Sequence, residues 1–272
     1  MSYLLFLILV AICLPGIIVV IPRTVKTLKE TIEDKITSEE EKPSKSTLIS
    51  LSIIQSMGLV IVSSAIGTTL TPRVGLEAPF FQALVSGASA LKALQPQILP
   101  ALLGGIGGSI VFITAYYALF RPRLDNQTVK SMEDLRMGLG AYSRILYGGI
   151  VEEVLTRWGL MTFFVWLIAL IAGGPNNLVI WIAIIISGIL FGLGHLPSYL
   201  AAGCRKTSLF LTLMISLNLW AAIIFGWLFW QYGLIAAMLA HMLFHIVWLP
   251  FDLHFSGNYR DSENSPKENN GL

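Results

Sequence analysis

Apolar residues arrive in long runs divided by short polar stretches. A bilayer core of about 30 Å takes about 20 apolar helical residues. Runs near that length occupy 3–21, 48–70, 99–119, 139–172, 178–196, 209–230 and 234–249. Gly173, Gly174 and Pro175 stop the fourth run, and Pro197 and Pro250 close the fifth and seventh. Residues 79–95 are moderately apolar and can form an extra short or re-entrant helix, and the fourth run can divide near Gly148-Gly149. The pattern predicts an all-α, polytopic transmembrane helix bundle of seven to eight spans. No Lys or Arg precedes the first run and no small-residue cleavage site follows it, so it reads as a retained anchor.

Composition agrees with the pattern. Of 272 residues, 55 % are hydrophobic and 12 % charged, against about 25 % charged in soluble domains. This excludes a soluble enzyme, a secreted disulfide scaffold and a disordered chain. The net charge of +2 lacks the basic excess of a nucleic-acid binder. The partners expected are the lipid bilayer and a membrane-associated protein or peptide. Cys13 and Cys204 are too few for a disulfide framework.

The basic residues orient the spans. Segments 22–47, 120–138, 197–208 and 251–272 hold 14 of the 18 Lys and Arg. Cytosolic loops collect such residues, so this face is expected in the cytosol, with the N-terminus outside. The chain divides into N-terminal spans with charged cytosolic loops (1–138), a region with polar interruptions (139–250) and a polar C-terminal tail (251–272). The Glu39-Glu40-Glu41 run reads as a solvated face, and the Asn-, Ser- and Glu-rich residues 256–272 as disordered.

The informative residues are those that lipid penalises. A charge at the bilayer centre costs at least about 2.5–3.5 kcal/mol on insertion scales and marks a bundle interior or wet cavity. Glu152, Glu153, Arg144 and Arg157 interrupt the fourth run, while His195, His241 and His245 lie in the fifth and seventh. Antiparallel packing sets Glu152 and His195 at similar depth, toward the cytosolic ends of their helices. His241 and His245, four apart, share a helix face, as do Glu153 and Arg157. Glu153–Arg157 therefore reads first as a structural pair and Phe191 as packing, with Glu152 and up to three imidazoles around an intramembrane polar cavity. A carboxylate beside an imidazole can activate water, or the imidazoles can hold a metal that does so. No Ser or Cys is placed beside a His as a nucleophile would be.

These motifs, Glu152-Glu153-x-x-x-Arg157, Phe191-x-x-x-His195 and His241-x-x-x-His245, resemble in order those of the CAAX-protease and bacteriocin-processing family of intramembrane proteases, related to type II CAAX prenyl endopeptidases. The resemblance covers roughly 139–250. His245 departs from the usual Asn or Asp at its position. The resemblance implies a helical bundle with its active-site cavity open to the cytosol and an intramembrane endopeptidase, either zinc-assisted or metal-free. Glu152 is then the base and His195 its partner, while His241 and His245 polarise the scissile carbonyl or, with His195, ligate Zn2+. A non-catalytic scaffold or bacteriocin self-immunity protein of the same fold is the alternative. A proton-coupled transporter is a further one, though no inverted repeat is visible.

Overall fold

Helices make up nearly all of the computed structural model, which describes residues 2–33 and 43–264. The Glu39-Glu40-Glu41 run and residues 265–272 of the tail lie outside the described residues. The elements are α1 (Tyr3–Glu33), α2 (Lys45–Val74), α3 (Pro79–Ser86), α4 (Ala90–Thr114), α5 (Asn126–Ser143), α6 (Thr162–Ala172), α7 (Asn177–Ala201), α8 (Ser208–Tyr232) and α9 (Leu234–Asn264). Three π-helical stretches extend them: π1 (Ala115–Phe120) after α4, then π2 (Arg144–Glu152) and π3 (Val154–Met161) between α5 and α6.

Among the described residues, seven helical stretches are long and apolar enough to cross a membrane. The ambiguity at 79–95 is resolved by α3, whose eight residues rise only about 12 Å at 1.5 Å each. The fourth span does not divide at Gly148-Gly149. It bends earlier, at Gly140, whose φ of 69° and ψ of 166° suit a residue without Cβ. The bend sets off the charged first part of α5, with Lys130, Glu133, Asp134 and Arg136, from the apolar stretch that follows. The polar segment 120–138 is thus largely helix rather than loop.

Two prolines expected to end helices lie inside them. Pro197 is within α7 and Pro250 within α9, which continues to Asn264 into the segment expected to be a disordered tail. Proline removes one helical N–H, but neighbouring helices and local adjustments in membrane bundles re-satisfy the freed carbonyls. Side-chain oxygens mark several helix starts. Those of Ser44, Ser89, Asp125, Asn176 and Thr207 each accept the N–H three residues on. At Asp125 the Thr128 hydroxyl and N–H hold the carboxyl below its usual range.

Close approach depends on small residues, as expected where lipid gives helices no hydrophobic drive to associate. A Cβ on Gly105 of α4 would lie 2.8 Å from the Ala240 carbonyl of α9. One on Gly67 of α2 would lie 2.4 Å from the Trp158 carbonyl of π3. Trp158 is fully buried there, its Nε1 donating to Thr68 at 3.4 Å. These contacts fix the fourth and seventh spans, which carry most of the polar residues, against the rest of the bundle.

Span alternation puts the α1–α2, α4–α5 and α7–α8 connections on one side and the α2–α4, α6–α7 and α8–α9 connections on the other. The segments around the first set, 22–47, 120–138 and 197–208, hold 12 of the 18 Lys and Arg, and we propose that this side faces the cytosol. A cysteine at exposed Lys130 can report on this. Native Cys13 and Cys204 are buried, and burial pushes the Cys204 thiol up to about 12. The Lys130→Cys protein is expected to resist an impermeant thiol reagent in intact cells and to react once the membrane is opened. Labelling of intact cells would reverse the orientation.

Candidate active site

Glu153 sits where π2 meets π3 and is fully buried. π-helical turns occur frequently at functional sites. Its Oε2 lies 3.3 Å from Arg157 Nε, and its Oε1 accepts a hydrogen bond from His241 Nδ1 at 2.7 Å. The Arg157 guanidinium sits 5.4 Å from the ring centres of both Phe191 and Phe225, and its Nη1 donates to the Thr156 hydroxyl. Thr156 in turn donates to the Glu152 carbonyl at 2.6 Å. The His241 ring stacks between Phe225, 4.5 Å away, and His245, 4.9 Å away. Glu153 is therefore more than half of an Arg157 pair, because it also fixes one of the histidines.

Glu152 turns the other way. Its side chain is half-buried, with 19 % exposed, and its Oε1 lies 3.9 Å from His195 Nε2, on a side chain 31 % exposed. His195 Nδ1 is 2.8 Å from the Phe191 carbonyl. A carbonyl only accepts, so Nδ1 carries the hydrogen, and in the neutral ring Nε2 presents a lone pair toward Glu152. Phe191 thus supplies its carbonyl as well as a ring edge 4.5 Å from the imidazole.

His245 completes the cluster from α9. A Cβ added to Gly148 would lie 2.7 Å from His245 Nε2 and 3.5 Å from His241 Nε2, and one on Gly149 would meet Met242 at 2.2 Å. The glycine pair therefore lets α9 close onto π2 with both imidazole edges against its backbone. His245 Nδ1 is buried without a hydrogen-bond partner. The sequence suggested one carboxylate among three imidazoles, whereas the structure has two consecutive carboxylates, each directed at its own imidazole.

A family model described as Type II CAAX prenyl endopeptidase Rce1-like matches residues 138–247. The match gives family-level support for an intramembrane-protease-like fold over that part of the chain, and it spans all seven residues singled out from the sequence. No curated protein and no solved structure matches the chain.

Among the described residues no three His, Cys, Asp or Glu side chains are arranged to hold an ion, His195, His241 and His245 included. With Nδ1 bonded to Glu153 and to a carbonyl, His241 and His195 keep Nε2 as the free ring nitrogen.

A second polar cluster was not expected. Asp252, taken with the tail in the sequence, is buried on α9 against two arginines, with Oδ1 3.0 Å from Arg136 Nη2 and Oδ2 2.8 Å from Arg144 Nη1. Tyr117 donates to Asp252 at 2.8 Å and Arg136 Nη2 donates to Tyr116 at 3.1 Å. The Arg136 and Arg144 guanidiniums lie over Trp248, at 5.1 and 4.8 Å. Trp248 in turn lies parallel to His245 at 6.3 Å. Arg144, a charge within an apolar run, was the only signal of this cluster in the sequence.

Breaking the Glu153 pair tests the site as structure. Arg157→Ala leaves a buried carboxylate with His241 alone, and removing one member of a buried pair costs about 3–5 kcal/mol. Thermal unfolding in detergent is expected to show that loss, with Arg157→Lys intermediate. Wild-type stability of the alanine protein would mean that Glu153 is not held as a charge.

Proposed function

We propose that this protein is an intramembrane endopeptidase that hydrolyses a peptide bond of a membrane-associated substrate, with Glu152 and His195 activating water. The reading is supported by the family match and carried by one observation. Glu152 and His195 face each other, half-exposed, 3.9 Å apart, within a bundle where an unsupported carboxylate is costly.

Both groups accept hydrogen bonds. A water between them donates one hydrogen to the Glu152 carboxylate and one to His195 Nε2, leaving an oxygen lone pair for a peptide carbonyl. As that oxygen attacks, Glu152 takes the proton as general base and afterwards delivers it to the leaving amine, with His195 orienting the water. The carbonyl oxygen gains negative charge and needs donors. His245, with its hydrogen on Nε2, supplies one from the Gly148 face. His241 stands beside it, held by Glu153. In this reading the substrate reaches Glu152, His195 and Gly148 from the basic side of the bundle. No step is assigned to a metal.

Nothing in the geometry favours a scaffold or a transporter over a hydrolase. The test is a comparison of membrane-fraction peptides from cells with the native protein and with Glu152→Gln. The substitution keeps the shape and removes the base, and general acid–base catalysis is worth about 10²–10⁴-fold. At least one membrane substrate is expected to accumulate uncut in the Glu152→Gln cells while the variant protein remains folded and at normal level. Unchanged cleavage would remove Glu152 from the chemistry.

A further inference from the structure

A cavity opens at the end of the bundle away from the basic segments. The start of α1, the last turns of α2 and one face of α3 surround about 400 Å³ there, a volume within the range of pockets that take small molecules. Its polar groups are hydrogen-bond donors short of acceptors. Thr68 and Thr71, which line it from α2, are 3 % and 2 % exposed. Thr68 Oγ1 already accepts the Trp158 indole hydrogen, so its own hydrogen is left for another acceptor. Thr71 makes no hydrogen bond with a described residue, and Arg73, one turn from them, has no counter-ion among the described residues. No carboxylate or histidine among the described residues lines the cavity. Buried donors without acceptors are costly, and a bound anion supplies what they lack.

Charge, size and position narrow the ligand. One cation with several hydroxyl donors suits an anion with several acceptor oxygens, and a guanidinium fork pairs bidentately with phosphate. A bare phosphate is far smaller than the cavity. Leu5 of α1 and Val85 of α3 give the cavity an apolar wall. Their chain neighbours Leu4 and Leu84 are 51 % and 46 % exposed, which continues apolar surface from the wall to the side that faces lipid. The lining has no carboxylate to receive an ammonium, and this favours an anionic headgroup over a zwitterionic one.

We propose that this cavity binds the phosphate of an anionic glycerophospholipid, with Arg73 paired to the phosphate oxygens and Thr68 and Thr71 donating to the headgroup. The lipid belongs to the leaflet away from the basic segments. All the lining residues fall outside the part of the chain matched by the family model, and the inference is independent of the peptidase reading.

The test is native mass spectrometry of the full-length protein, delipidated in detergent and titrated with short-chain phosphatidylglycerol, phosphatidylcholine or diacylglycerol. Phosphatidylglycerol is expected to bind roughly tenfold more tightly than phosphatidylcholine, and diacylglycerol, which has no phosphate, is expected not to be retained. Arg73→Gln is expected to weaken phosphatidylglycerol binding roughly tenfold, as loss of a hydrogen bond to a charged group does, and Thr71→Val roughly threefold. Thermal unfolding without lipid checks that both variants fold. Arg73→Lys covers a failure to fold, since it keeps the charge and loses the fork, and is expected to weaken binding about threefold. Exposed Lys92, the other basic residue of segment 71–98, does not line the cavity, and Lys92→Gln is expected to bind as the native protein does. Equal losses in Arg73→Gln and Lys92→Gln would reduce the effect to a general attraction of lipid for basic residues and overturn the proposal. Equal retention of the three lipids, or native binding in every cavity variant, would overturn it too. Displacement of the lipid by an equal concentration of glycerol phosphate, which has no acyl chains, would assign the cavity to a soluble phosphate ester and overturn the lipid assignment.

Discussion

Lipid does not tolerate an unpaired charge, and the buried carboxylate of Glu153 is the point at which this chain must answer that constraint. Arg157 and His241 meet its two oxygens. To do so, π3 must present Arg157 one turn on, and α9 must bring His241 from 88 residues away. The Gly148-Gly149 surface admits α9 at the required distance, and Phe225 and Phe191 close around the pair. Once Glu153 is held, Glu152 is directed elsewhere, toward His195. The division between two adjacent carboxylates, one buried and clamped and one half-exposed, is what turns a polar defect in a membrane helix into a candidate site.

The same logic extends down α9. His241, His245, Trp248 and Asp252 form a ladder whose first rung neutralises Glu153 and whose last joins Arg136 and Arg144. Both ends hold an ion pair, and the rings between them stack at 4.9 and 6.3 Å. The ladder gives the candidate site and the Arg136–Asp252–Arg144 cluster a common support.

Much of this was legible in the sequence, for reasons that also explain the rest. The seven spans follow from run length, because bilayer thickness imposes it. Glu152, Glu153, Arg157 and the three histidines stood out because each is costly in an apolar run. The Glu153–His241 bond left no local trace, since no periodicity links residues on different helices. The prolines misled because rules drawn from soluble helices treat Pro197 and Pro250 as stops, whereas here both lie inside continuous helices. Asp252 was hidden by that error. Read as the start of a tail, it looked solvated, and only the continuation of α9 carries it onto the two arginines. Gly140 gave no warning among the many glycines, because a bend depends on backbone angles that composition does not encode.

The central claim is that neighbouring carboxylates divide structure from proposed chemistry, and paired unfolding measurements test it most directly. Glu152→Gln and Glu153→Gln are purified in the same detergent and their unfolding free energies compared with the native protein. The Glu153→Gln protein is expected to lose about 3–5 kcal/mol, because Arg157 is left buried without its counter-charge. The Glu152→Gln protein is expected to stay within about 0.5 kcal/mol, as substitutions away from buried networks do. Equal losses, or a larger loss at Glu152, would contradict the division on which this account depends.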